Sequence, residues 1–304
     1  MFPLLKISST IQVLDVLENP DDLAVNTSDR NISCSDLSIM NYVQAFLEGK
    51  EELGEMDEVK RQFMNGLFKT DEEICKIELC TSGQNSNPDW HEIRKGMLTA
   101  SKFKIICRSV DNNKAPPSLI KSIFGEYKDA DVPALNWGRK KEKHAIDLYM
   151  GVSRKQHRNP KLKQPGFLVD KKFPFIGCSA DGIFSCKCHL TKLVEVKCPY
   201  TGRDLHPKEV ALTKGCEMVD DKLVLQHDSD YFHQVQGQMG IYGYSKCDLV
   251  IYTKNGICVV NVEFDKLFFD SMLKKLTYFF KEHLLMKMFE KFLCDGEDVS
   301  DFQT

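Results

Sequence analysis

Three side chains in this chain of 304 residues have the types and spacing for hydrolytic chemistry: Asp181, Glu195 and Lys197. Asp181 sits in Gly177-Cys178-Ser179-Ala180-Asp181-Gly182, where two short β-type runs meet. Fourteen residues later comes Leu193-Val194-Glu195-Val196-Lys197-Cys198-Pro199. Period-2 alternation puts Glu195 and Lys197 on one face of that strand. Phosphodiester hydrolysis at neutral pH needs an activated water and a place for negative charge to accumulate. Hard Mg²⁺ or Mn²⁺ on carboxylate oxygens meets both needs, and a lysine facing the scissile phosphate adds a cation. A Glu-Xaa-Lys triplet also arises by chance, marking a solvated strand face with a weak ion pair. What distinguishes the two readings is the company the triplet keeps.

Positioning these groups takes a sheet with helices around it. Residues 166–169, 173–179, 182–184, 193–197, 249–253 and 258–264 read as strands. Ile39, Tyr42, Val43, Phe46 and Leu47 recur at helical spacing, as do Val59, Phe63, Met64, Leu67 and Phe68, and Gly54 separates the two helices so predicted. Thr70 with Glu73 reads as a capping box. Further helices are expected over 90–96, from the Thr99–Phe103 stretch, after Pro116, and over 136–150, 231–242 and 266–293. The order predicts an α/β fold with a central mixed β-sheet flanked by helices, preceded by a helical N-terminal extension. The polar run from Thr81 to Pro88 marks a boundary between an acidic, partly helical segment (1–85, its first 35 or so residues poorly ordered) and a domain over 86–293, with a tail at 294–304.

An ordered series of motifs surrounds the triplet: Trp90 with Arg94 and Thr99-Ala100-Ser101; Trp137-Gly138 with Glu142; Cys178 to Gly182; Glu195 to Pro199; and Tyr231 with Gln234-Val235-Gln236. This series resembles the lambda-exonuclease/YqaJ-like viral recombinase family of PD-(D/E)XK nucleases. The resemblance implies a restriction-endonuclease-like core and metal-dependent cleavage of DNA, 5′-to-3′ from duplex ends, in recombination or DNA processing. It implies that Asp181, Glu195, the carbonyl of Val196 and Glu142 hold Mg²⁺ or Mn²⁺, as two ions. Lys197 would orient water and stabilise developing charge, with Gln234 holding it in place. Arg94, Ser101 and Ser179 would bind a 5′-phosphate, chemistry suited to a guanidinium and hydroxyls. Relatives assemble as trimers, so a homo-oligomer is implied as well. The proline usual before the aspartate is Ala180 here; it ligates nothing, and a small effect is expected.

Read without the resemblance, each residue has a plainer role. Glu142 would lie on a solvated basic face, Arg94 would pair with Glu92, and Ser101 would cap a helix. Gln234, Gln236 and Gln238 occupy alternate positions and cannot all face one way on a helix; Gln234 is the one expected in the site. The alternatives in function are a non-catalytic nucleic-acid-binding module of a mobile element, or a structure-selective or RNA-directed nuclease on the same core.

Charge is unevenly placed. Residues 1–85 carry 16 acidic against 7 basic side chains, whereas residues 139–172 carry 11 basic against 3 acidic. Within the latter, Arg154, Lys155, Arg158, Lys161 and Lys163 form a stripe suited to a DNA backbone. No run of apolar residues is long enough for a membrane span, and no secretory leader is visible. An intracellular protein of nucleus or cytoplasm, its 12 cysteines reduced, is therefore expected. Cys186-Lys187-Cys188-His189 looks like half of a zinc motif, but a second ligand pair is missing, so a hairpin loop with free thiols is expected.

Overall fold

The computed structural model describes residues 33–50, 54–126 and 132–294; the poor order expected of the first residues and the tail from 295 lie outside that range. Helices α1 (Ile39–Leu47), α2 (Met56–Gly66) and α3 (Asp71–Cys80) match the amphipathic spacing. Thr70 Oγ1 accepts from Glu73 N–H while Glu73 returns a bond to Thr70 N–H, completing the capping box. Helix α4 (Pro88–Ile93) starts on an Asn87 cap with proline at its first position. Strand β1 (Leu98–Thr99), helices α5 (Phe103–Asp111), α6 (Pro117–Ile123) and α7 (Pro133–Gln156) follow.

The sheets then form. Strands β2 (Lys161–Lys163), β3 (Leu168–Val169), β4 (Ile176–Cys178), β5 (Gly182–Ser185) and β6 (Lys192–Lys197) lead to α8 (Pro207–Thr213) and a hairpin of β7 (Cys216–Val219) and β8 (Lys222–Leu225). Helix α9 (Asp230–Tyr242) is capped by Ser229 and ended by left-handed Gly243. Strands β9 (Lys246–Thr253) and β10 (Gly256–Glu263) precede α10 (Lys266–Phe279), a π-type turn at Phe280–Leu284 and α11 (Leu285–Cys294). The main sheet runs β10-β9-β6-β5-β2, with β6 and β9 parallel and its other pairs antiparallel. The mixed α/β architecture expected from the order of elements is thus present. Strand β2 and the β7–β8 hairpin were not foreseen; β2 lies inside the charge run, whose lysines flank one half-buried residue, Leu162.

Alternation along β6 decides which side chains meet which helix. Val194 and Val196 join Ala145, Tyr149 and Met150 of α7 on one face. Leu193 packs with Val235 and Met239 of α9 on the other, and Glu195 and Lys197 share that parity. A third core joins α1, α2, α5 and α6 to the small sheet β1-β4-β3 and to α10 and α11. The acidic helices therefore share a core with the C-terminal ones across the change in composition at residues 85 and 86.

The expectation that all thiols are reduced is corrected at one pair: Cys34 and Cys80 form a disulfide, their Cα atoms 6.4 Å apart. The partners are 46 residues apart in sequence, and their meeting depends on how the turn before α1 reaches the end of α3, which spacing does not encode. Among the described residues Cys75, Cys107, Cys178, Cys186, Cys188, Cys198, Cys216, Cys247 and Cys258 are free. No helix among them is long and apolar enough to cross a membrane.

Candidate active site

A cleft of about 420 Å³ lies beside the C-terminal end of β6, lined by Arg94, Ser101, Glu142, Ser179, Asp181, Glu195 and Gln234 among others. Residues predicted from five separate stretches of sequence thus reach one hollow. Asp181 stands at the entry to β5, and its Oδ2 accepts from Val196 N–H at 2.6 Å. In an extended strand the N–H and C=O of one residue point the same way, so the Val196 carbonyl also faces the Asp181 side.

Glu195 is 3% exposed, and each of its oxygens is bonded. Oε1 accepts from Lys197 Nζ at 2.7 Å and from Gln234 Nε2 at 2.5 Å; Oε2 accepts from Gln238 Nε2 at 2.7 Å. Lys197 donates a second bond to Gln234 Oε1 at 2.9 Å. Burial pushes the Lys197 ammonium down, but Glu195 and Asp181 outweigh it, and the net shift is upward. Lys197 is thus held as an ammonium by the two carboxylates it faces.

The carboxylates crowd one another. Burial, then Glu195 and Glu142, hold the Asp181 carboxyl well above the usual range. Glu142, half-buried on α7, is raised by burial and by Glu195. It is not a residue of a solvated face. Three acids facing one lysine make a donor set that a divalent cation would relieve. Gln238 adds a buried Oε1 that accepts no hydrogen bond among the described residues. Hard oxygen donors fit Mg²⁺ or Mn²⁺.

The three glutamines of α9 resolve by helical geometry. Gln234 and Gln238, four apart, share a face and clamp Glu195. Gln238 also donates to the Ser179 carbonyl at 3.0 Å. Gln236 points away, donating to Glu263 O and accepting from Asp265 N–H, each at 2.8 Å. Gln238 was missed, although its i,i+4 relation to Gln234 is visible in the sequence. Gln84, which donates to Pro165 O at 2.9 Å and Ala180 O at 2.8 Å, was missed with no local signal to find it.

At the other end of the cleft, the Arg94 guanidinium stacks 3.6 Å over the Trp90 ring. Glu92 is taken by Lys95 at 2.5 Å, and no carboxylate among the described residues pairs with Arg94. Burial lowers Arg94 to about 10, leaving it charged at neutral pH. Ser179 Oγ accepts from Trp90 Nε1 at 2.9 Å, and Ser101 Oγ lies 3.3 Å from Thr99 Oγ1. Ser101 caps no helix: α5 starts without a side-chain cap. Lys102, not foreseen, shares an adjoining recess with Arg94. Burial, then the neighbouring Arg94, lowers its ammonium to about 8.

The basic stripe divides. Lys163 pairs in register with Ile183, two residues from Asp181, whereas Lys161 lies opposite Ser185. Arg158 is further out, its carbonyl bonded to Lys187 N–H in the β5–β6 loop. Arg154 and Lys155 are exposed in the last turn of α7. None of the five lines the cleft.

Residues 89–245 match the YqaJ-like viral recombinase domain, a span that includes every motif of the site. The chain belongs to this family. Among solved structures, the alkaline exonuclease LHK-Exo from Laribacter hongkongensis is 20% identical, with a TM-score of 0.50 over 68% of this chain and 97% of that one. The same exonuclease in complex with dAMP aligns with the same figures. A SOX–DNA complex is 12% identical, with a TM-score of 0.51 over 84% of this chain and 91% of that one. At such identities the likeness establishes the fold, a restriction-endonuclease-like α/β core. No curated protein matches.

Proposed function

We propose that this chain is a divalent-metal-dependent nuclease that hydrolyses DNA phosphodiesters, working 5′-to-3′ from duplex ends. The observation that carries the reading is the convergence, in one cleft, of Asp181, Glu195 and Glu142 with unpaired Arg94. Asp181, Glu195, the Val196 carbonyl and Glu142 would hold Mg²⁺ or Mn²⁺. When bound, such ions activate water and offset charge on the reacting oxygens.

The remaining work falls to this chain's own groups. Lys197, an ammonium with three donors, gives one to Glu195 and one to Gln234. The third is left for the attacking water or a phosphate oxygen. Gln234 and Gln238 keep Glu195 from turning as charge builds. Arg94, Ser101 and Ser179, with Lys102 behind Arg94, would seat the terminal phosphate and so set which bond meets the carboxylates. Lys163 and Lys161, on the edge strand, would follow the DNA backbone away from the cleft.

The test uses linear duplex DNA with 5′-phosphate or 5′-hydroxyl ends in Mg²⁺ or Mn²⁺. Cleavage is expected, faster from phosphorylated ends, and lost in Asp181→Ala and Lys197→Ala. Activity surviving both substitutions refutes the site. Binding without cleavage in either metal refutes the catalytic reading.

A further inference from the structure

The described residues hold a second cluster of metal-binding side chains, apart from the cleft. His157, Cys186 and Cys188 each place a ligand atom within 4.8 Å of the other two. The cysteines lie in the β5–β6 loop, and His157 is the residue at the C-terminal cap of α7. The pairing of β2 with β5 starts at Lys161 and Ser185, just beyond these residues, and carries His157 to the loop. The ligand pair missing from Cys186-Lys187-Cys188-His189 is thus partly supplied from nearly thirty residues upstream.

Backbone donors already reach both sulfurs. Arg158 N–H donates to Cys188 Sγ at 3.1 Å, and Cys188 N–H to Cys186 Sγ at 3.4 Å. His189 is alongside, its ring centroid 4.8 Å from that of His157. Its Nδ1 is bonded to the Leu190 carbonyl at 2.9 Å. A backbone carbonyl on Nδ1 fixes the tautomer that leaves Nε2 as a ligand atom. Two thiolates and imidazole are a soft set, suited to Zn²⁺ and unlike the all-oxygen set of the cleft. Bonds of about 2.3 Å to sulfur and 2.0–2.1 Å to nitrogen place tetrahedral ligand atoms a little under 4 Å apart. The cluster as it stands, within 4.8 Å, is about an ångström wider than that.

We propose that His157, Cys186 and Cys188 bind one Zn²⁺, with His189 or water as the fourth ligand, fastening the β5–β6 loop to the turn between α7 and β2. The site is structural, and it does not depend on the nuclease reading.

The experiment takes the full chain, purified and stripped with chelator under nitrogen without reductant so that the Cys34–Cys80 disulfide stays closed, and titrates it with Co²⁺ alone. A thiolate-to-cobalt charge-transfer band in the near ultraviolet should rise to saturation at one equivalent and bleach on adding Zn²⁺. A carboxylate site gives no such band, so Asp181→Ala should keep it. Joint replacement by Cys186→Ser and Cys188→Ser should abolish it and remove one zinc per chain by elemental mass spectrometry. His157→Gln should weaken Zn²⁺ binding by at least tenfold, the lower end of the ~10–100-fold seen for outer-shell changes. No charge-transfer band in the unsubstituted protein overturns the proposal, whatever the variants' folding. A band that persists without Cys186 and Cys188 overturns it equally.

Discussion

Replacing Gln238 by leucine separates the support of Glu195 from the support of the fold. The substitution keeps side-chain bulk and deletes two donated hydrogen bonds, one to Glu195 Oε2 at 2.7 Å and one to Ser179 O at 3.0 Å. A bond to a charged acceptor contributes about 1.5–3 kcal/mol and a neutral one about 0.5–1.5 kcal/mol. Because Glu195 is buried, water cannot readily replace the first. The expected loss of stability is about 2–4 kcal/mol, or roughly 3–7 °C in Tm for a chain of this size. With one oxygen of Glu195 released, the half-saturating Mg²⁺ concentration should rise ~10–100-fold. Gln236→Leu is the control, since it removes two bonds from the same helix that face the β10–α10 junction. It should cost comparable stability and leave the metal requirement where it was. Thermal denaturation and cleavage of 5′-phosphorylated duplex across a Mg²⁺ series measure both quantities. An unchanged half-saturation in Gln238→Leu, or an equal shift in Gln236→Leu, would refute the reasoning.

Asp181→Asn should abolish cleavage yet stabilise the metal-free protein. An acid whose folded pKa is raised is penalised as pH climbs above its unfolded value near ~3.9, so the folded state loses stability between mild acid and neutrality. Removing that charge should add about 0.5–2 kcal/mol at pH 7, and a lower Tm without metal would contradict the crowding argument. Lys102, lowered to about 8, should be largely charged at pH 7 and neutral at pH 9. Preference for 5′-phosphorylated over 5′-hydroxyl ends should therefore decline across that interval, and Lys102→Met should flatten the profile; a preference constant with pH in the unsubstituted protein would rule this out. Asp248, 3% exposed, accepts from Tyr149 and Asn261 at 2.7 Å and pairs with Lys192 at 2.6 Å. Asp248→Ala strands a half-buried lysine and two hydrogen-bond donors and should cost about 3–5 kcal/mol in denaturant unfolding; a loss under 1 kcal/mol would show the network to be dispensable.

The strands and helices that hold the site are legible because their periodicities are strong and their breakers well placed. The run Leu193 to Lys197 alternates as a strand must, and Ser229 and Gly243 bracket α9. The pairing of Glu195 with Lys197 follows from alternation, and the convergence of Arg94, Glu142 and Asp181 was expected from the ordered motifs. What stayed hidden was set by packing. Strand β2 carries lysines at both ends and only Leu162 between them packs inward, so its composition reads as a solvated run. The Cys34–Cys80 bond, and the approach of His157 to Cys186, depend on neighbours far apart in sequence. Gln238 is a different matter, because the i,i+4 rule that favours Gln234 selects it equally.

Gln84 belongs to the acidic segment, yet its amide props the carbonyl that immediately precedes Asp181. Its φ of 45° places it in the left-handed region, a conformation retained while its side chain is held between Pro165 and Ala180. Gly166, beside that prop, allows the Glu78 carbonyl so close that any Cβ there would collide with it. The N-terminal segment thus supplies part of one wall of the cleft, through Gly83 to Ser86. A shuffled gene that kept the matched span and began at residue 89 would encode every acid of the site and lose the amide that holds the carbonyl next to Asp181. Lineages that exchange this domain should therefore carry the preceding helices with it, or supply another side chain to the same carbonyl.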